Sequence, residues 1–225
     1  MREEKPTLRN QFDKQLELLN QKMTEMGGEC ESIIALAVKA LLDGSAEDAK
    51  KARQNGGRID ELEREIESVC LKLLLQQQPV ARDLRVISAA LKMITDMERI
   101  GDQAEDIAEI IPFLGGRTGA ECQDIRSMAI AAIRMVTDSV DAYVNRDLAL
   151  ARSVAEQDDV VDAAFVRVKR SLIAMIADNT ADGEYALDLL MIAKYFERIA
   201  DHAVNIAEWV AFSVTGVHSG EAAVQ

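Results

Sequence analysis

"DMERIGDQAEDIAEI" (96–110) and "YFERIADHAVNIAEWV" (195–210) are two copies of one sequence pattern. In each copy a glutamate is followed four residues later by an aspartate, among apolar residues spaced as on one helix face. Glu98 and Glu197 are 99 positions apart (197 − 98 = 99), and the same offset aligns Asp102 with Asp201. The repetition indicates an internal duplication.

Breaks in the apolar pattern divide the chain into six helical segments. The periodicity predicts helices over 8–42, 46–78, 79–111, 122–145, 148–178 and 184–214. Ser45 is expected to cap the second helix, "NGG" (55–57) to loosen it, and Pro79 to lie in the first turn of the third. No segment alternates like a strand.

The duplication extends beyond the opening motif. "ID" at 59–60 matches "VD" at 161–162, with an offset of 102 (161 − 59 = 102). We therefore predict an all-α fold of six long helices in two tandem, pseudo-symmetric three-helix bundles. The predicted units cover 1–114 and 119–215, with a flexible tail over 216–225.

Charge and composition narrow the classes of partner. The net charge of −13 repels nucleic-acid phosphates and an anionic membrane surface, so the expected partner is a protein or a cation. Charged residues interrupt every apolar stretch before it reaches the roughly 20 residues that span a bilayer, so membrane association is expected only through a partner.

The start "MREEKPTLRN" lacks the apolar stretch of a signal peptide, and three cysteines are an odd number, which favours a reduced, cytoplasmic protein. Homodimerisation is expected from the symmetry and the apolar content.

Catalytic motifs are missing from the sequence. There is no P-loop, and neither His202 nor His218 stands in an evident catalytic triad or follows a glutamate by three positions, as in a di-iron bundle. Cys70, at helical spacing with apolar residues, is interpreted as a core residue. We therefore predict that the protein is not an enzyme.

The repeated carboxylates suit a cation. Like charges four residues apart on a helix repel each other unless a cation lies between them. Oxygen ligands favour Mg, Ca, Mn or Fe, with Zn possible if His202 joins. Asp60 and Asp162, at equivalent places on the second helix of each repeat, could add ligands. The strips of oxygen atoms comprise Glu98, Asp102, Asp106 and Glu109 in the first repeat and Glu197, Asp201, Asn205 and Glu208 in the second.

An ordinary charged helix face is the alternative interpretation. Arg99 and Arg198 follow the two glutamates and could pair with Asp102 and Asp201 three residues on. Both copies keep the same carboxylates among the same apolar residues, which favours a cation site. Common descent of the two repeats would explain the same observation.

The stretch "QQQPVARDLRVISAALKMITDMERIGDQAEDIAE" (76–109) resembles the signature of the PhoU family, accessory regulators of phosphate-specific transport. "YFERIADHAVNIAEW" (195–209) resembles its second-repeat counterpart, and the first two helices also read like the family's. The resemblance implies two three-helix bundles and a cytoplasmic, non-enzymatic regulator. Such a regulator restrains phosphate uptake and the phosphate-starvation response by binding the transporter's ATPase subunit and a sensor histidine kinase.

The resemblance also implies metal clusters on these helices, with Fe, Zn, Mn or Mg as candidate metals. Carried over by position, the ligands are Glu98, Asp102 and Asp106 in one site and Glu197, Asp201 and Asn205 in the other, with Asp60 and Asp162 from the second helices. The sequence departs from the family at Asp106, where asparagine is usual, and at 56–57, where glycines replace acidic residues. Because Asp158 and Asp159 precede Asp162, second-helix support is expected to be stronger in the second repeat.

Three functions are compatible with these patterns. The leading hypothesis is a phosphate-signalling adaptor whose acidic faces are organised by metal ions. The alternative is a metal-binding or metal-storage helical bundle without an adaptor role. A purely structural scaffold is the third, and it predicts that alanine at Glu98 and Asp102 has no phenotype.

Overall fold

The computed structural model describes residues 8–77, 79–119, 121–178 and 182–217, and every regular element in these ranges is helical. A short 3₁₀ turn, Ile111–Leu114, follows the third helix. The all-α prediction is confirmed. The six long helices are α1 (Leu8–Asp43), α2 (Ala46–Gln77), α3 (Ala81–Ile110), α4 (Glu121–Asn145), α5 (Leu148–Ala177) and α6 (Gly183–Thr215).

The turns between the first and second helices of the two repeats are built alike. After α1, Gly44 has a left-handed φ of 63°, and the N–H of Ser45 donates a 2.9 Å hydrogen bond to the carbonyl five residues earlier. After α4, Arg146 has a φ of 54°, and the N–H of Asp147 donates the equivalent 2.9 Å bond. Ser45 and Asp147 then accept hydrogen bonds from backbone N–H groups in the first turns of α2 and α5. The offset of 102 therefore holds through both turns.

Two local predictions were wrong. α2 continues without interruption through the glycines of 55–57, because the helix packs against both α1 and α3 and this packing outweighs local propensity. Pro79 precedes α3 and does not lie in its first turn, since the N-cap Val80 is still extended with a ψ of 163°. The end of α3 agrees with the prediction to within one residue: the α-helix ends at Ile110, and the chain continues as a 3₁₀ turn near Pro112, whose missing N–H cannot extend the α-helical pattern.

The helices form two three-helix bundles, as predicted. α1 to α3 pack together as the first bundle and α4 to α6 as the second. Across the molecule, α3 packs along α6 and α1 packs against α4, so α2 and α5 lie on the outer sides. The inward faces of all six helices form one continuous apolar core. The pseudo-symmetry thus places the two helices with the repeated carboxylates side by side at the centre.

A matched pair of residues sets the close approach of the second and third helices. In the first bundle, Ile59 of α2 packs on Gly101 of α3, where an added Cβ would lie 2.8 Å from the Ile59 Cδ1. In the second bundle, the repeat offsets place Val161 at the position of Ile59 and Ala200 at the position of Gly101. The second helix therefore has a smaller side chain there, and the third helix has a larger one. Because a candidate metal ligand directly follows each of these residues, this packing sets how closely the carboxylates of the two helices can meet.

All three cysteines are buried and free of disulfide bonds. Burial raises the pKa of the Cys70 thiol to about 12, which keeps it a protonated, unreactive thiol. The interpretation of Cys70 as a core residue is confirmed.

The described part of the chain ends two residues after α6, at residue 217. Gly216 ends the helix with a φ of 79°, while His218 and most of the predicted tail lie outside the described residues. The predicted unit boundaries remain predictions. No helix among the described residues is long and apolar enough to cross a membrane.

Candidate metal centres

The groove between α5 and α6 in the second repeat collects four carboxylates. Asp158 and Asp162 come from α5, and Glu197 and Asp201 come from α6. Burial and the charges of Asp162, Asp201 and Glu197 raise the pKa of Asp158 to about 6. Burial and Glu197 raise the pKa of Asp201 as well. The four groups are therefore close enough to repel one another.

One atom in this groove lacks a hydrogen-bond partner. Asp158 Oδ1 is shielded from solvent and forms no hydrogen bond with any residue that the structure describes. Among the described residues, Lys194 forms an ion pair with Glu197 of this cluster and lies over the Phe165 ring. A buried carboxylate oxygen without a partner is unfavourable, and a bound cation would satisfy it. The residues of this groove therefore fit a metal ion.

The groove between α2 and α3 holds the corresponding cluster of the first repeat. Asp60 and Glu63 come from α2, and Glu98, Asp102 and Glu105 come from α3. Burial and Asp102 raise the pKa of Glu98, while burial, Asp102 and Asp60 raise that of Glu105. Burial and Asp60 raise the pKa of Glu63. This groove is also acidic, but its carboxylates are distributed differently between the two helices.

Arginines act differently in the two repeats. Arg99 contacts Glu98 at 3.4 Å and Asp102 at 3.2 Å, so the predicted pair of Arg99 with Asp102 is confirmed. Burial raises the pKa values of Asp106 and Tyr195, and the nearby charge of Arg198 offsets part of this rise. A metal ion in the first groove would therefore compete with a cation that the protein itself supplies. Because Arg99 is half exposed, this pair is weak enough to be displaced.

Asp106 and Asn205 lie at the seam between α3 and α6. Asp106 hydrogen-bonds Tyr195 of α6, and Asn205 Nδ2 donates a 3.1 Å hydrogen bond to Asp96 Oδ1 of α3. The His202 Nδ1 lies 2.9 Å from the same Asp96 oxygen. Asp96 and Tyr195 are related by the repeat offset (195 − 96 = 99), so the two contacts are pseudo-symmetric. Neither Asp96 nor Tyr195 was predicted from the sequence, although the offset of 99 could have revealed them.

The structure thus divides the predicted ligands into two groups. The charges of Asp60 and Asp102 act on Glu98, and the charge of Asp162 acts on Asp158 and Asp201, whereas Asp106 and Asn205 contact the opposite repeat. In the described part of the chain, no three His, Cys, Asp or Glu side chains already converge as one metal ion requires. Carboxylates that repel one another point apart without a cation between them. Metal ligation by all eight predicted residues therefore remains a prediction.

The PhoU domain family matches both halves of the chain, over residues 23–111 and 125–210. The chain belongs to the PhoU family. A relative from Clostridium acetobutylicum, named phosphate-specific transport system accessory protein PhoU homolog, is 34% identical over 207 residues, which cover 91% of this chain and 94% of the relative. A homolog of the same name from Pseudomonas aeruginosa is 33% identical over 92% of this chain and 86% of its own length.

Solved structures agree with the fold described above. The crystal structure of PhoU from Pseudomonas aeruginosa superposes with a TM-score of 0.86 at 34% identity, covering 92% of this chain and all of that one. The phosphate transport system regulatory protein PhoU from Streptococcus pneumoniae gives a TM-score of 0.84 at 24% identity, with coverage of 92% and 98%. The second likeness supports the fold alone.

Proposed function

We propose that this protein is a cytoplasmic regulator that restrains phosphate uptake and phosphate-starvation signalling by binding other proteins. The observation that carries the proposal is the match of both repeats to a family whose relatives are named accessory proteins of phosphate-specific transport. The chain is not an enzyme, because that family is one of accessory proteins.

The proposed partners are the ATPase subunit of the phosphate transporter and a sensor histidine kinase. A net charge of −13 favours a partner surface that carries basic residues, through electrostatic complementarity. Contact with the membrane is proposed to occur only through these partners, and nucleic acid is not a proposed ligand. The protein is proposed to act as a homodimer.

Divalent or trivalent metal ions (Fe, Zn, Mn or Mg) are proposed to bind in the two acidic grooves. Support comes from the all-oxygen donor sets and from the partnerless Asp158 Oδ1. A bound ion supplies positive charge between two helices. Asp162 and Asp201 would then hold α5 to α6, and Asp60 and Asp102 would hold α2 to α3. The acidity of both outer grooves, and hence the surface offered to a partner, would depend on metal occupancy.

The test is complementation of a deletion strain of the source organism grown with abundant phosphate. The deletion is expected to raise phosphate uptake and starvation-gene expression, and the wild-type chain to lower both. A groove variant, Glu98→Gln/Asp102→Asn/Glu197→Gln/Asp201→Asn, is expected to restore neither. The matched control removes four exposed carboxylates elsewhere, Glu17→Gln/Glu61→Gln/Glu67→Gln/Glu156→Gln, and is expected to behave as wild type.

Capture of the ATPase subunit and the kinase by the purified chain completes this test. Wild type and control are expected to bind both partners, and the groove variant to bind them less tightly. Failure of the wild type to bind either partner would contradict the adaptor role. Full activity of the groove variant would support the scaffold interpretation of these carboxylates.

Metal storage is the second candidate function, and the unsatisfied oxygen of Asp158 favours it. Elemental analysis of the purified protein before and after mild chelation separates the two candidates. About one ion or one small cluster per repeat is expected of a regulator. Loading far above two clusters, or redox turnover of the bound metal, would favour storage.

A further inference from the structure

The Glu105 side chain occupies space that exists only because residue 56 is glycine. Gly56 of α2 is buried, and a Cβ placed on it would overlap the carboxylate of Glu105 from α3, with the Glu105 Cγ 3.1 Å away. The carboxylate is therefore laid across the α2 backbone and faces Asp60 and Asp102. Any other residue at position 56 would force the Glu105 carboxylate to move.

The second repeat fills the equivalent space in a different way. The offset of 102, which holds through the α1–α2 and α4–α5 turns, aligns Gly56 with Asp158. The offset of 99 aligns Glu105 with Val204. One repeat thus has a carboxylate on its second helix opposite an apolar residue, and the other has a carboxylate on its third helix opposite glycine. Each groove therefore has one carboxyl group at this place. It comes from the third helix in the first repeat and from the second helix in the second repeat.

We propose that Glu105 is a metal ligand of the first groove and replaces there the carboxylate that Asp158 contributes to the second. This inference rests on the proposed metal binding. The ion is a hard divalent cation held by four carboxylates in each repeat. In the first groove three ligands come from α3 and one from α2, whereas in the second each helix gives two. The ligands are Asp60, Glu98, Asp102 and Glu105 in the first groove and Asp158, Asp162, Glu197 and Asp201 in the second.

The test measures Mn²⁺ affinity of the first groove alone, by equilibrium dialysis of the full chain. Asp162→Asn/Asp201→Asn removes the second groove and serves as the background for every other variant. On this background Glu105→Gln keeps the side-chain shape and is expected to weaken Mn²⁺ binding about 10-fold or more. Glu17→Gln, at an exposed position of α1, is the control and is expected to change affinity less than about 2-fold.

A second set of variants copies the residues of the second repeat into the first groove, and so tests whether the two carboxylate positions are equivalent. Gly56→Asp alone is expected to weaken binding, because the new side chain displaces Glu105. The double variant Gly56→Asp/Glu105→Val copies the arrangement of the second repeat and is expected to restore affinity to within a few-fold of the background. Far-ultraviolet circular dichroism of each variant checks that the helices are intact.

The outcomes separate this inference from the proposed function. Unchanged affinity in Glu105→Gln, with binding lost in Glu98→Gln, would overturn the role of Glu105 and leave metal binding in place. Failure of the double variant to recover binding while it remains folded would also count against the exchange. No Mn²⁺ binding by the wild-type chain would overturn both the metal sites and this inference, whereas the adaptor role is judged separately by partner capture.

Discussion

At the scale of single residues, Asp158 opposes folding when no cation is bound. Its folded-state pKa of about 6 lies above the roughly 3.9 of an unfolded aspartate. The native state therefore binds the proton more tightly than the unfolded state does. The resulting loss of stability is present in full above pH 6 and disappears as the pH falls through 6 toward 4.

Asp158→Asn in chelator-treated protein is expected to be stabilising at pH 7.5. Removal of the charge should add about 1 kcal/mol to the free energy of unfolding, after allowance for solvent screening, which corresponds to a rise in Tm of about 2–4 °C. Thermal melts followed by circular dichroism at several pH values measure the effect.

The gain from Asp158→Asn should fall by about half at pH 5, because wild-type Asp158 is then largely protonated in the folded state. Glu156→Gln, at an exposed position of the same helix, is the control and should change Tm little. A gain of equal size at pH 7.5 and pH 4.5 would show that repulsion between carboxylates is not its cause.

At the scale of elements, the spacing of α2 and α3 is fixed by Ile59 against Gly101. A Cβ at position 101 would lie 2.8 Å from the Ile59 Cδ1, which is closer than real Cβ contacts. Gly101→Ala is therefore expected to destabilise the protein by about 1–3 kcal/mol through overpacking. Urea unfolding followed by circular dichroism measures the change.

Ile59→Val should relieve most of this loss, because Gly101→Ala/Ile59→Val reproduces the pair that the second repeat already uses at Val161 and Ala200. The two substitutions touch one contact, so their effects should be strongly non-additive. The single variant Ile59→Val is the control for lost volume. Simple additivity of the two effects would mean that this contact does not set the helix spacing.

At the scale of the whole molecule, the seam between α3 and α6 joins the two repeats into one unit. Asp96 of the first repeat accepts a hydrogen bond from Asn205 and contacts His202 of the second, and both Asp96 and His202 are largely buried. The helices on either side contribute to one core. We expect the two repeats to unfold together.

Asp96→Ala is expected to lower the free energy of unfolding by about 1–3 kcal/mol, because it leaves the partly buried His202 of the other repeat without this partner. Trp209, the single tryptophan, reports on the second repeat, and far-ultraviolet circular dichroism reports on all helices. Urea titrations should show coincident transitions by both probes, shifted together in the variant. Glu61→Ala, on the exposed face of α2, is the control. A Trp209 transition that stays in place would mean that the repeats unfold independently.

Much of the architecture was predictable from the sequence because it depends on local order along the chain. Apolar residues at helical spacing gave the six helices, and offsets of 99 and 102 related the two halves. The errors at 55–57 and at Pro79 arose where packing or the conformation of a neighbouring residue outweighed local propensity. The spacing of four residues also identified carboxylates that affect each other, since Glu98 and Asp102 lie on one face of α3 and the charge of Asp102 helps raise the pKa of Glu98.

The sequence by itself determined the helical class, the duplication and the two acidic strips, because residues a turn apart on a helix are neighbours whatever surrounds them. Only the tertiary structure decided which helices face each strip. It placed Asp106 and Asn205 at the seam, brought Asp158 into the second groove and laid Glu105 across Gly56. These contacts join residues roughly 50 to 100 positions apart, and their geometry depends on how closely two helices pack, which no local pattern records.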